Sequence, residues 1–109
     1  MKVALYCRVG RGGSEESQKE AIFNQRRILE RFAQNNNFQI IGSYEDVGFP
    51  GYILKRPGLT KLCDAFDRGE FEAVLVVKRD HLFRGTPTVE PKWPFRVYTL
   101  SQREHQHER

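Results

Sequence analysis

The first hydrophobic stretch of the chain is nearly unbroken: Val3, Ala4, Leu5, Tyr6 and Cys7 stand together between Lys2 and Val9. A run without polar alternation fits a strand buried on both faces, as at the centre of a parallel sheet. Gly10, Gly12 and Gly13 break it into a loop. The period then changes. Ala21, Ile22, Ile28, Leu29, Phe32 and Ala33 recur at helical spacing and predict a helix from about Ser17 to Gln34. Ser17 with Glu20 three residues on reads as a capping box, and Asn35-Asn36-Asn37 stops the helix. Phe38 to Tyr44 predicts a second strand, and Asp46 to Pro57 a loop rich in Gly and Pro. Leu59, Leu62, Cys63 and Phe66 follow i, i+3, i+4, i+7, one face of a short helix near 58–68 that Gly69 ends. Ala73 to Val77, the most β-branched stretch, predicts a third strand.

Strand-helix-strand-helix-strand is the order of a parallel sheet with crossover helices. After Gly85 the prolines Pro87, Pro91 and Pro94 exclude a helix, and Phe95 to Leu100 alternates well enough for a fourth strand. The expected fold class is therefore α/β: a mainly parallel four-stranded sheet with flanking helices, its first strand central. Residues 1–100 form one domain and Ser101 to Arg109 a polar tail; 109 residues suffice for one core and not for two.

Composition changes this picture little. Hydrophobic residues at 39% and charged residues at 29% are ordinary for a folded domain. No apolar run approaches the roughly 18 residues a membrane span needs. Arg8 interrupts the only N-terminal apolar stretch and no small-residue cleavage site follows, so we expect a cytoplasmic chain without signal peptide and without membrane contact. Cys7 and Cys63 lie in apolar stretches and read as reduced, buried thiols. They lack the neighbours of a zinc site, and His105 and His107 in the tail read as solvated, so no metal is expected.

A net charge of +4 permits an anionic partner without demanding one, so location has to decide. In an open parallel sheet, ligands sit outside the carboxyl ends of the strands. Arg8 and Arg11 lie at the end of the first predicted strand, Lys55 and Arg56 in the loop after the second, and Lys78, Arg79 and Arg84 after the third. Each alone is explained by the preference of Lys and Arg for solvated loops. Together they outline a phosphate-sized anion site, for which the planar fork of arginine is well suited. Gly10-Arg11-Gly12 opens like a dinucleotide fingerprint, but Glu15 stands at the third glycine position and no G-K-[ST] follows. A flavodoxin-like nucleotide module is therefore disfavoured, and no cofactor is expected.

Five separated segments carry more. Tyr6-Cys7-Arg8-Val9, Asn24-Gln25, Tyr44-Glu45-Asp46-Val47-Gly48, Arg56-Pro57-Gly58-Leu59 and Asp80-His81-Leu82-Phe83-Arg84 resemble, in register, the catalytic domain of the serine recombinases, the resolvase/invertase family. The likeness runs from Met1 to about Thr86. It implies site-specific DNA recombination and integration: cleavage of DNA by a serine, a phosphoserine link, strand exchange in a tetramer, and rejoining without metal or nucleotide. By the same resemblance Arg8, Arg56 and Arg84 correspond to active-site arginines, with Asp80 beside them. The expectation is that they converge on one solvent-accessible site, and that Arg11, Lys55, Lys78 and Arg79 add DNA contacts.

The chain departs from the family pattern in places that matter. The serine nucleophile falls at Gly10, which has no side chain to attack phosphorus. His81 stands where the family has an arginine, and Pro50 where its loop has a serine. Ser14 and Ser17 are the nearby hydroxyls; Ser17 is read as a cap, leaving Ser14 as the only alternative nucleophile. Past Arg84 the proline-rich link replaces a helix, Trp93 reads as a lid over the core edge, and nothing accounts for the family's long dimer-forming helix or its DNA-reading module. We therefore expect a shortened, cleavage-inactive homologue that binds DNA weakly. The alternative is an interaction or regulatory partner of an intact recombinase, as a homo- or hetero-oligomer; an active enzyme using Ser14 is disfavoured.

Overall fold

The computed structural model describes residues 1–86 and 88–100, so the polar tail with His105 and His107 lies outside the described residues. The chain runs β1 (Lys2–Val9), α1 (Glu15–Asn35), β2 (Gln39–Val47), α2 (Pro57–Asp67), β3 (Ala73–Val76), α3 (Arg79–Leu82) and β4 (Arg96–Thr99). The sheet has the order β2-β1-β3-β4, and every neighbouring pair is parallel. β1 is thus interior, as its continuous apolar run predicts. Its side chains alternate between two cores. Val3, Leu5 and Cys7 pack with Ile22, Leu29 and Ala33 of α1, while Ala4 and Tyr6 pack with Leu59, Leu62 and Ala65 of α2. Helices therefore cover both faces of the sheet, which is why no polar alternation shows in β1.

The helix ends explain where prediction and structure differ. α1 starts two residues earlier than expected because Ser14, not Ser17, is its N-cap. The Ser14 hydroxyl oxygen accepts the Ser17 backbone N–H at 3.0 Å, and Glu15 and Glu16 occupy the positive first turn. The asparagine run ends α1 by a specific device. Asn37 is left-handed (φ 58°), Asn37 N–H donates to Gln34 C=O, and Phe38 N–H donates to Ala33 C=O. Phe38 then packs edge-on against Phe32, centroids 6.3 Å apart. Gly69 (φ 77°) closes α2 by the same pattern, with N–H groups of Gly69 and Glu70 on the carbonyls of Phe66 and Ala65.

β2 runs to Val47 rather than ending at Tyr44, because past one irregularity at Ile41 β1 pairs with it continuously from Ala4↔Gly42 to Val9↔Val47. α3 was not predicted; one turn is too short to show a period. Trp93 stacks on Phe95 (centroids 5.7 Å, 14° between planes) over the α2-side core, as a cover for that edge. Among the described residues no helix is long and apolar enough to cross a membrane.

Candidate functional site

In this strand order the topological switch lies between β1 and β3, whose neighbours leave in opposite directions. A crevice is expected outside their carboxyl ends. Arg8 fills it. Residues 4, 6 and 8 of β1 share a face, so Arg8 continues the line of Ala4 and Tyr6 and leans over the start of α3. Its Nε donates to His81 C=O at 2.9 Å, Nη2 to Asp80 C=O at 2.8 Å, and Nη1 to Phe49 C=O at 2.8 Å. Arg56 comes from the other side, donating to His81 C=O at 3.2 Å and to Leu82 C=O.

The reason is the length of α3. A one-turn helix leaves its carbonyls without intrahelical partners. Phe83 N–H takes that of Arg79, and two arginines take the remaining three. Arg8 is 7% exposed and Arg56 fully buried. Burial lowers the pKa of both: Arg56 and Arg84 add to the effect at Arg8, while Tyr6 and Asp46 oppose it at Arg56. Arginine keeps its proton under such pressure, which a lysine would not.

The expected convergence is therefore corrected in one respect. Arg8, Arg56 and the backbone of Asp80 do meet, but the arginine forks face inward onto carbonyls rather than outward to solvent. Arg84 does reach the accessible rim. Its N–H donates to Gly51 C=O at 3.1 Å, and its side chain is exposed. Gly51 is required here, since a Cβ would stand 2.6 Å from the Arg84 Cβ and 2.8 Å from Arg8 Nη2. Arg11, Lys55, Lys78 and the Asp80 side chain are also exposed. Arg79 differs from these, because Glu90 holds it in an ion pair at 2.9 Å.

Gly10 sits on the rim, half-buried, immediately beyond β1. A Cβ there would lie 3.7 Å from Arg8 Nη1, an ordinary contact, and the residue is not left-handed. The backbone thus has room for a side chain that the sequence does not provide. The loop is held from α1, where Gln18 Nε2 donates to the carbonyls of Gly10 and Gly12. Ser14 is committed as the α1 cap, and Ser17 Oγ donates to Ser14 C=O at 2.9 Å.

Two supports, Asp46 and Gln25, were not singled out from sequence, and His81 was singled out only as a departure from the family pattern. Asp46 is buried, and its carboxylate accepts the N–H groups of Gly58 (2.7 Å) and Leu59 (2.9 Å) and the Tyr6 hydroxyl (2.7 Å). It caps α2 from another strand, since Arg56 in the N-cap position supplies no side-chain cap. Gln25 exchanges two hydrogen bonds with the Arg8 backbone, replacing a strand neighbour where β3 no longer pairs with β1. His81 is half-buried with its Nδ1 unpaired. Burial lowers its pKa, aided by Arg8 and Lys78 and opposed by Asp80. Only the motif blocks containing Asp46 and Gln25 hinted at these roles. Among the described residues no three His, Cys, Asp or Glu side chains group closely enough to hold a metal ion.

The family model described as the resolvase N-terminal domain matches residues 3–90. Among solved structures, the N-terminal catalytic domain of TP901-1 integrase is 34% identical, with a TM-score of 0.65 over 78% of this chain and 60% of that one. A serine recombinase from Sulfolobus solfataricus is 30% identical, TM-score 0.62, over 77% of this chain and 54% of that one. The C-terminal catalytic domain of the IS607-like serine recombinase ISC1926 TnpA, at 19% identity, shares the fold over 99% of this chain and 78% of that one, TM-score 0.75. This chain thus spans 60% or less of the first two. A comparison with curated proteins found no match. The match over 88 consecutive positions, residues 3–90, shows the family: the chain belongs to the resolvase N-terminal domain family of serine recombinases.

Proposed function

We propose that this chain is a DNA-binding domain of the site-specific recombinase type that does not cleave DNA. The observation that carries the reading is Gly10. Beside the Arg8 guanidinium, where a side chain would fit, there is no hydroxyl to attack phosphorus. Ser14 does not replace it, because its oxygen is engaged as the α1 cap. The inward aim of Arg8 and Arg56 supports the same reading, since donors bound to carbonyls are not free to stabilise charge on a phosphate. Weak DNA binding rests on the exposed Arg11, Lys55, Lys78 and Arg84, which approach one sheet edge from three loops.

The test is incubation with supercoiled plasmid carrying a recombination site, followed by a search for covalent protein–DNA adducts. None is expected. An adduct that disappears in Ser14→Ala would replace this reading with an enzyme whose nucleophile is displaced.

A role as partner of an intact recombinase is favoured by one observation: Phe23 and Ile28 of α1 are 51% and 45% exposed. Co-purification with an intact recombinase, abolished by Phe23→Asp, would support it.

A further inference from the structure

Arg79 is one of seven basic residues at the sheet edge, yet it is bound to a carboxylate from the proline-rich segment. Its Nε donates to Glu90 Oε1 at 3.2 Å, and its Nη2 stands 2.9 Å from Oε2. Trp93 Nε1 donates to the same Oε2 at 2.8 Å. Three N–H donors thus converge on one two-oxygen anion. Stacking on Phe95 fixes the indole, and the Glu90 N–H is tied to Thr86 C=O at 3.2 Å, so the arrangement is built from both sides. The Glu90 side chain is 15% exposed and that of Arg79 47%. The Arg79 side chain therefore remains reachable while its carboxylate partner is largely covered. The pair opens onto a cleft of about 670 Å³ that Lys92 and Asp80 also line.

A carboxylate and a phosphodiester present the same pair of oxygens to a guanidinium fork. We infer that Arg79 and Trp93 form a phosphate-binding site on which the Glu90 carboxylate sits as a built-in competitor. DNA backbone phosphate is the ligand class, and displacement of Glu90 releases the 88–94 segment from α3. The inference rests on the DNA-binding reading above, and it adds a site and a restraint to it.

Fluorescence anisotropy of a labelled 30-base-pair duplex, over a salt series with the full chain, tests it. Glu90→Gln keeps the shape and most hydrogen bonding of the residue while removing its charge. It should bind DNA about fivefold tighter than the unaltered chain, with a salt dependence steeper by about one unit. Arg79→Gln alone should change little, because Arg79 is already occupied, and Arg79→Gln with Glu90→Gln should lose the gain. Glu16→Gln, on the first turn of α1, controls for added net charge and should not reproduce the effect. Trp93→Phe, which keeps the ring and removes the donor, should give a smaller gain. Equal affinity and slope for the unaltered chain and Glu90→Gln, with DNA bound by both, would overturn the inference and leave the DNA-binding reading standing. Absence of binding by every variant at low salt would overturn both. A gain in Glu90→Gln that survives loss of Arg79 would assign the effect to charge alone and reject the site.

Discussion

Gly10 and His81, where the resemblance to the family implies a serine and an arginine, have separate physical consequences. At position 10 the backbone is not left-handed and a Cβ meets only Arg8 Nη1 at 3.7 Å. Gly10→Ser should therefore fold with a stability change within about 0.5 kcal/mol, the range of unstrained surface changes. It should still form no covalent adduct with DNA, because the Arg8 and Arg56 forks stay on the carbonyls of α3, and each absent transition-state donor costs about a hundredfold or more. Thermal melts and the plasmid assay check the two halves separately. At position 81 the consequence is pH dependence. The His81 pKa is depressed below its ordinary 6.5 by burial and by Arg8 and Lys78. Above that pH the ring is neutral in both folded and unfolded chains. Below it the unfolded chain takes up a proton that the folded chain resists, so stability falls as pH falls, until the folded pKa is passed. Urea midpoints measured from pH 7 to pH 5 should decline, and His81→Gln should remove part of that decline.

At the scale of elements, the weakest local design is the start of α2, and its repair comes from elsewhere. Arg56 cannot cap, so Asp46 reaches across from β2, and Gly58 permits the approach: a Cβ there would stand 2.2 Å from Glu45 C=O. Asp46→Ala removes the cap and leaves the buried Tyr6 hydroxyl without its acceptor. The cost should be about 2–4 kcal/mol in urea unfolding. Gly58→Ala should be of similar severity through the backbone clash. Asp46 marks the limit of what was legible in the chain. The alternation of apolar runs with helical periods placed β1, α1, α2 and β3 within a few residues, since burial on a sheet or a helix stripe leaves a local period. A cap from a strand 12 positions away leaves none. The same holds for α3, whose single turn exists because Arg8 and Arg56 satisfy its carbonyls. Sequence placed those two arginines at the right edge of the sheet. Their inward aim depends on acceptors that only the tertiary fold supplies, so it could not be read from position alone. Arg56→Leu should therefore act on α3 first. Hydrogen exchange at His81 to Phe83 should accelerate before global unfolding does, with a total loss of about 3 kcal/mol.

For the whole molecule, the decisive quantity is how many basic residues face outward on one edge. Seven of its basic residues lie at or just beyond the carboxyl ends of β1, β2 and β3, but they are not equivalent. Arg8 and Arg56 are interior, and Arg79 is paired with Glu90. Arg11, Lys55, Lys78 and Arg84 remain exposed. Non-specific DNA affinity comes from neutralised phosphates, and its logarithm falls with log salt by about 0.9 per contact. Four contacts predict a slope near −3 to −4, well short of the value near −6 that all seven would give. Binding should accordingly be detectable at about 50 mM salt and weak by about 200 mM. Lys55→Ala with Lys78→Ala should reduce the slope by about two units without changing the melting temperature, because both side chains are exposed. Arg56→Leu, compared at a temperature where it remains folded, should leave the slope unchanged. A slope insensitive to Lys55 and Lys78 would place the DNA on another face and separate this chain's basic edge from any role in binding.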